Sequence, residues 1–508
     1  MKFFKKKSLQ KNLSISNDNN KKSTVISERV LRNVLKKCPD IQFSSTTYIH
    51  HQITYIYCSG LVNTEILYNT VPQSIDHFFF VHKGEITEEQ IRNYLHIPTL
   101  DVIDNLEVAI TDIFAGKLLI DFGINGKLFT IDISERPQRK PEETATEATV
   151  KGPRDNFIED INVNISLIRK RLRTSSLAFE QTTIGKRSQT KVAILYMDDI
   201  ANMNVLKEIK NRLSTIDIDG LVTTQQLEET FNNTPYAVFP RHQYTGKPDF
   251  AVQTLLNGRF VILIDGVTIA LITPINLFLL LKGSEDKEVS YIFSSFQRLI
   301  RISGLFLSAI LPGIWVSLTS FHQDQLPISL LATVVESRKG VPLPLSIEVI
   351  LMLLLFELFK EAGLRLPMSI GQILSVVGGL IIGDAAISAG LASPVTVVVI
   401  ALSTLSTFNL NDQSLIGTFS LTRLFIIIFS SLFGFFGMFT AIFVICAYIG
   451  RINTFGVSYL EGISLLNISD FIKTIIKIPS TKYTKRPKAL ELNDITRTGE
   501  ENENKKKS

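Results

Sequence analysis

Apolar positions are spread very unevenly along this 508-residue chain. Four stretches, Ile302–Gln323, Leu366–Gly383, Ala385–Asn411 and Leu424–Gly450, contain no Asp, Glu, Lys or Arg, and a long, mostly polar region precedes them. Each is long enough for a helix to cross the ~30 Å hydrocarbon core of a bilayer. Ile328–Val335 and Ser346–Phe359 are shorter apolar segments. Pro342, Pro344 and Pro367 bracket the second and enforce breaks there. The pattern predicts a soluble N-terminal α/β region of two subdomains followed by an α-helical polytopic membrane domain, with four to six membrane-embedded helices.

Within the soluble region, residues 1–24 are rich in Lys, Asn and Ser and read as a disordered basic tail. A first α/β subdomain is expected over 25–135. It contains a helix at Val25–Lys37, with Val30, Leu31 and Val34 apolar, and β-rich runs at Ile53–Tyr57 and Phe78–His82. The Pro, Glu and Thr run at 136–151 reads as a linker. A second α/β subdomain follows over 152–290, with helices at Phe157–Leu172 and Val205–Leu213 and strands at Val192–Met197 and Phe260–Leu263. Gly266–Leu281 is apolar but interrupted by Pro274, and Asp265-Gly266 reads as a turn, so a buried hairpin is expected rather than a span. The membrane domain occupies 298–451 and a basic C-terminal tail 452–508.

Charge sharpens the topology. The net charge is +5, and basic residues concentrate at both ends, at Lys2, Lys5, Lys6, Lys7, Lys11, Lys21 and Lys22 and again over Lys473–Lys488. Such flanks mark a cytoplasmic side for both termini and attract anionic membrane lipids. No stacking aromatics or recognition-helix pattern accompanies them, so nucleic acid is not an expected partner. No apolar core follows the initial lysines, so no cleavable signal peptide is expected and the first span serves for insertion. Cys38, Cys58 and Cys446 form no spacing motif. His50 and His51 point apart on a strand, and Asp198 and Asp199 fit a solvated turn. No phosphate loop, GxSxG or metalloprotease motif is present. The chain is not expected to be an enzyme or to carry a metal or cofactor.

In the membrane half, Gly371, Ser375, Gly379 and Gly383 fall at four-residue spacing and form a smooth ridge for close helix packing. Gly434 and Gly437 offer a less regular version. Glu348, Glu357, Glu361, Arg365 and Asp384 are the intramembrane or entrance charges, each needing a partner or water. Glu361 precedes Arg365 by four residues, which makes a local ion pair easy. The sharper alternative places Asp384 or Glu348 at a wet cavity. Thr396, Ser403 and Thr407, with Ile400 between, put hydroxyls on one face of an otherwise Val- and Leu-rich helix. That stripe fits a pore wall, and it fits equally well bonds to helix carbonyls or to a neighbouring helix.

Long ordered motifs run through these positions: RLIRISGLFLSAILP, SLTSFHQDQLP, ESRKGVPLP, FELFKEAGLRLP and IGQILSVVGGLIIGDAAISAGLASP between Arg298 and Pro394. In the soluble half stand GPRDNF at Gly152–Phe157, NISLIRKRLR at Asn164–Arg173, IGKRS at Ile184–Ser188 and IKNRL at Ile209–Leu213. Over about residues 25 to 475 the chain closely resembles the GerA family of spore germination proteins, the A-type subunits of nutrient germinant receptors. It departs from the family pattern at TGKPD (Thr245–Asp249), at EDKE (Glu285–Glu288), and at GDAAISAG, where Asp384 and Ser388 replace the usual Gln and Glu.

The resemblance implies a protein of the spore inner membrane working with a transporter-like B-type subunit and a C-type lipoprotein subunit. It also implies a homo-oligomer, a ring taken to be a pentamer, that opens to release monovalent cations and initiates germination, with nutrient bound chiefly by the B subunit. In that reading Thr396, Ile400, Ser403 and Thr407 form the pore wall and Asp384 or Glu348 its entrance. The related stage V sporulation membrane protein, an amplifier of germination, is one alternative. A stand-alone secondary transporter is another, and it predicts internal repeats that the sequence does not display.

Overall fold

The computed structural model describes residues 26–135 (apart from 49–50, 83–85, 96–99 and 125), 153–365 (apart from 154, 232–236, 284–285 and 287), 383–460 (apart from 411) and 476–497 (apart from 478, 480–484 and 488–489). Two compact units emerge. One comprises Met1–Arg136 with Arg173–Ser175, the other Pro137–Leu172 with Ser176–Ser508.

The first unit runs α1 (Glu28–Val34), β1 (Ile41–Tyr48), β2 (His51–Cys58), α2 (Val71–Val81), α3 (Glu88–Tyr94), β3 (Asp101–Ile103), α4 (Leu106–Ala115), β4 (Lys117–Asp121) and β5 (Leu128–Asp132). Its strands pair antiparallel in the order β1-β2-β4-β5-β3. Successive residues of β4 face opposite sides: Leu118 and Ile120 join the core against α2 and α3, and Leu119 joins the core against α1 and α4. The inner strands β2, β4 and β5, covered on both faces, carry buried runs rather than alternations, whereas the edge strand β1 is largely exposed.

The expected strand at Phe78–His82 is instead the last turn of α2, with His82 capping it. Val71, Ile75, Phe78 and Phe79 are buried, a spacing of four, three and one that closes one helical face. The aromatic run is β-like in composition but helical in period. The helix expected over Val25–Lys37 is shorter, and only Leu31 within it is buried.

The soluble part of the second unit repeats this architecture. It consists of α5 (Ile161–Arg171), β6 (Leu177–Ile184), β7 (Thr190–Met197), α6 (Met203–Ser214), α7 (Thr224–Phe231), β8 (Gln243–Thr245), α8 (Pro248–Leu256), β9 (Phe260–Ile264) and β10 (Ala270–Thr273). The sheet order is β6-β7-β9-β10-β8, the same succession as in the first unit. Asp160 caps α5 by accepting from the Asn162 and Val163 amides, so the helix begins four residues later than its apolar pattern implies. The Asp265-Gly266 turn joins β9 to β10, and the short helix α9 (Leu277–Leu280) follows, so Gly266–Leu281 is a buried strand and helix turn, half of the expected hairpin.

The C-terminal segment is docked over its described residues, not a free tail. Leu490 and Leu492 enter the core beneath α5 and α8, and the Asn493 amide donates to the Ile200 carbonyl at 3.0 Å. Gly258 (φ +84°) makes room: a Cβ there would lie 2.3 Å from Leu492 Cδ2.

The helical half contains α10 (Tyr291–Ser320), α11 (Ile328–Ser337), α12 (Leu345–Arg365), α13 (383–388), α14 (Pro394–Thr407) and α15 (Gln413–Arg451). Among the described residues, two helices, Tyr291–Ser320 and Ser414–Arg451, are long and apolar enough to cross a membrane. α10 is central, packed on α12, α14 and α15.

The expected single span Leu424–Gly450 is broken within α15 by Gly434, whose φ of 59° and ψ of −138° are not helical. The chain folds back there. Thr418 Oγ1 donates to the Val238 carbonyl at 2.8 Å, and the Tyr448 hydroxyl accepts from the Val238 amide at 3.3 Å. Thirty residues of straight helix would hold those two side chains about 45 Å apart. Ile426, Ser430 and Met438 also all lie against Gly313. α15 is therefore a helical hairpin, and each arm, at about 25–32 Å, matches the hydrocarbon thickness.

Candidate functional site

Polar side chains in an apolar bundle are the informative ones, and here they converge on α14 at two levels. At the first, the sequence SPVT starts the helix: Ser393 is the N-cap, accepting from the Thr396 amide at 3.4 Å, and Pro394 sits at the first helical position. The Ser393 amide and hydroxyl both donate to Glu348 Oε1, at 2.7 and 2.8 Å. Glu348, on α12, is fully buried, and the Arg338 Nε lies 3.6 Å from its other oxygen. The Ser393 proton is spent on the carboxylate, so Thr396 donates in the 2.9 Å contact between the two hydroxyls. Thr396 Oγ1 in turn accepts from Trp315 Nε1 at 3.3 Å. A directed chain thus runs from Trp315 through Thr396 and Ser393 to Glu348, which lies at a helix N-terminus, where the dipole favours an anion.

At the second level Arg423, on the first arm of α15, is fully buried. Its Nη2 donates to Glu357 Oε1 at 2.6 Å, and its Nη1 to Ser403 Oγ at 3.1 Å and Thr404 Oγ1 at 3.3 Å. Ser420 donates to the same Glu357 oxygen at 2.5 Å, while Lys360 pairs with the other. Ser403 donates to the Ser308 carbonyl of α10 at 2.8 Å. One guanidinium therefore ties α12, α14 and α15 together, using the donor fork that suits Arg to such a role.

The stripe expected to line a pore is covered within this chain. Thr396, Ile400 and Ser403 are 0 % exposed and Thr407 1 %, and the Thr407 hydroxyl turns back to the Thr404 carbonyl at 2.5 Å. The outward face of α14 is apolar, with Val398, Leu402, Leu405 and Phe408 exposed. A buried hydroxyl needs a partner, and α10 and α15 supply it. Of the two readings of the stripe, the bonds to carbonyls and neighbouring helices are the ones this structure contains.

Of the two entrance candidates, Glu348 is sealed while Asp384 is exposed on α13. Glu357 finds its partners in Arg423 and Lys360. Glu361 is exposed and ends the same helix as Arg365, whose side chain lies outside the described residues. Gly371, Ser375 and Gly379 also lie outside them. Gly383 is buried, but a methyl group there would sit 3.8 Å from Val397 Cγ1, an ordinary contact that does not require glycine.

Sequence reasoning missed Arg423, the most deeply buried cation of the bundle among the described residues. It stands just before the charge-free run that begins at Leu424 and so reads as a flank. Its signal was the pair Ser420 and Arg423, three residues apart and so on one face of an otherwise apolar helix.

A second polar junction joins the sheet to the bundle. Phe239 packs edge-on against Phe419 and Tyr459 and tilts against Tyr448, next to the Val238 hydrogen bonds to both arms of α15. Behind it, burial raises the Glu228 carboxyl above its usual range, although the Tyr244 hydroxyl and the Arg241 amide donate to it. Burial, reinforced by Arg212 and Arg241, pushes His242 down to about 3. Among the described residues no three His, Cys, Asp or Glu side chains are grouped to hold a metal ion.

A profile of the Bacillus/Clostridium GerA spore germination protein family matches residues 29–489. The chain is 38 % identical to spore germination protein XA of Bacillus anthracis, over 96 % of this chain and 100 % of that one. It is 30 % identical to an uncharacterised membrane protein, YfkQ, of Bacillus subtilis, over 89 % of this chain and 88 % of that one. It is also 30 % identical to spore germination protein GerLA of Bacillus cereus, over 87 % and 90 %. Among solved structures, the N-terminal domain of the A subunit of the Bacillus megaterium germinant receptor GerK3 aligns with 48 % of this chain and 92 % of its own, at 22 % identity and a TM-score of 0.35.

Proposed function

The chain belongs to the GerA spore germination protein family, and from that premise we propose that it is the A subunit of a nutrient germinant receptor in the spore inner membrane. It works there with a transporter-like B-type subunit and a lipoprotein C-type subunit, and several copies form a gated path for monovalent cations. The observation that carries the reading is the end-to-end match to spore germination protein XA, which spans the soluble sheets and the helical bundle alike.

Two features of the fold support a gated assembly. The Val238-Phe239 loop grips both arms of the α15 hairpin, so movement of the sheet reaches the bundle without a flexible linker. The Glu348 and Glu357–Arg423 networks give the bundle discrete polar contacts that can be made or broken as units. In this reading the hydroxyl stripe latches α14 to its neighbours, Asp384 marks the entrance, and the ion path runs between copies. Docking of the C-terminal segment on the second sheet supports placing the soluble region and the C-terminus on one side, the cytoplasm.

The test is potassium release from dormant spores given defined nutrients, comparing the intact chain, its deletion and Asp384→Asn at matched protein levels. Loss of release to particular nutrients on deletion is the expected result. Responses that all start but proceed more slowly would overturn the receptor assignment.

A further inference from the structure

Around the foot of α10, just ahead of its apolar stretch, positive charge among the described residues exceeds what the neighbouring described carboxylates neutralise. Asp286 is buried and receives Arg298 Nε at 2.9 Å and Arg301 Nη1 at 2.7 Å. Lys477 Nζ donates to the Asp286 and Val289 carbonyls at 2.5 and 2.8 Å. Arg301 also reaches the Leu281 carbonyl at 3.4 Å, which places Lys282 beside the cluster.

Lys282 is the odd member. Its side chain makes no ion pair or hydrogen bond among the described residues, and burial, with repulsion from Arg298 and Arg259, pushes its ammonium down to about 8 against the pull of Asp286. Four cations, Lys282, Arg298, Arg301 and Lys477, thus face the Asp286 carboxylate, with Glu288 also acting on Lys477. An ammonium held partly out of water among like charges is unfavourable unless an anion completes the site.

The surface beside this cluster is apolar and aromatic. Tyr291, Phe293 and Phe296 are about half exposed and Ile292 more so, and the uncharged run of α10 begins at Ile302. Aromatic rings and cations at the mouth of a crossing helix mark the headgroup level of a bilayer.

We propose that Lys282, Arg298, Arg301 and Lys477 bind the phosphate of an anionic phospholipid headgroup. Lys282 supplies the contact that the internal ion pairs leave open, and Tyr291, Phe293 and Phe296 lie along the acyl chains. Charge complementarity selects an anionic over a zwitterionic lipid, and the adjoining apolar helix selects a lipid over a free phosphate. The site anchors the junction of sheet and bundle, apart from the α14 networks.

The experiment uses the full-length chain, purified and delipidated in neutral detergent, with thermal unfolding followed as phosphatidylglycerol, phosphatidylcholine or inorganic phosphate is added. Phosphatidylglycerol should raise the melting temperature well above the effect of phosphatidylcholine. One juxtamembrane cation is worth about a five-fold change in affinity for anionic lipid, so Lys282→Gln should shift the phosphatidylglycerol titration by about that factor. Its lipid-free melting temperature should not fall, because no native contact is lost. Lys282→Arg should restore the response, and Lys207→Gln, at an exposed position of α6, should leave it intact. Full retention of the response in Lys282→Gln overturns the proposal, and so does an equal effect from inorganic phosphate.

Discussion

Replacing Gly434 with alanine tests the hairpin reading of α15 at its corner. The backbone there has φ 59° and ψ −138°, a region that side-chain-bearing residues enter only at about 1–3 kcal/mol. The new methyl would also lie 3.0 Å from Phe321 Cβ and Cγ and 3.0 Å from His322 Cε1. These groups stand at the C-terminal end of α10, and forcing them aside adds about 1–3 kcal/mol. The sum, about 2–6 kcal/mol, should lower the melting temperature of the detergent-solubilised chain by at least ~4 °C, on a scale of about 2–4 °C per kcal/mol for a mid-sized domain. Gly417→Ala is the matched control, because it lies on the same helix with nothing within 4 Å of the added Cβ. There alanine should be neutral or stabilise by up to ~1 kcal/mol. A Gly434→Ala chain that melts with the Gly417→Ala control would refute the corner, and α15 would then have to be one straight helix.

Arg423→Met should destabilise the bundle by about 1.5–3 kcal/mol by removing a charged, buried partner of Glu357, which keeps Lys360, whereas Arg423→Met with Glu357→Gln should recover most of that; equal melting of the single and double variants would count against the pairing. His242 gives a pH signature with a definite sign. Its folded value of about 3 lies below the ordinary 6.5, so its contribution is complete above pH 6.5 and is lost at up to ~1.4 kcal/mol per pH unit as pH falls toward 3. His242→Phe, placed between Phe231 and Phe455, should therefore flatten the acid limb of a melting-temperature profile. Glu228, which is raised and acts in the opposite sense, remains in both chains and cancels from the comparison. An unchanged acid limb would mean that His242 reaches solvent.

Much was legible in order of residues alone. Fully apolar four- to eight-residue runs such as Phe260–Leu263 and Val192–Met197 mark strands buried on both faces, and they are. Charge-free length separated the helical half from the soluble half. Phe78–His82 failed because aromatic composition was weighed above the spacing of Val71, Ile75, Phe78 and Phe79. The duplicated sheet topology left no readable trace, since a strand order is set by hydrogen bonds between distant segments and many apolar sequences satisfy it.

The hydroxyl stripe divides most clearly into what sequence settles and what it leaves open. Spacing along α14 determines that Thr396, Ser403 and Thr407 share a face, because helical period is local geometry. Which surface that face meets is not local. Ser308 lies 95 residues before Ser403, and Glu357 lies 66 before Arg423. Only the packing of α10, α12 and α15 around α14 turns a possible water path into a set of satisfied hydrogen bonds. The corner at Gly434 is of the same kind: hydropathy sums side-chain transfer energies and is blind to φ, so one apolar run reads as one span. The chain's composition thus determined that a soluble α/β region precedes an apolar bundle, since burial follows from the amount and period of apolar surface. Tertiary structure decided where the bundle turns and which charges meet, because those depend on contacts between segments that sequence order keeps far apart.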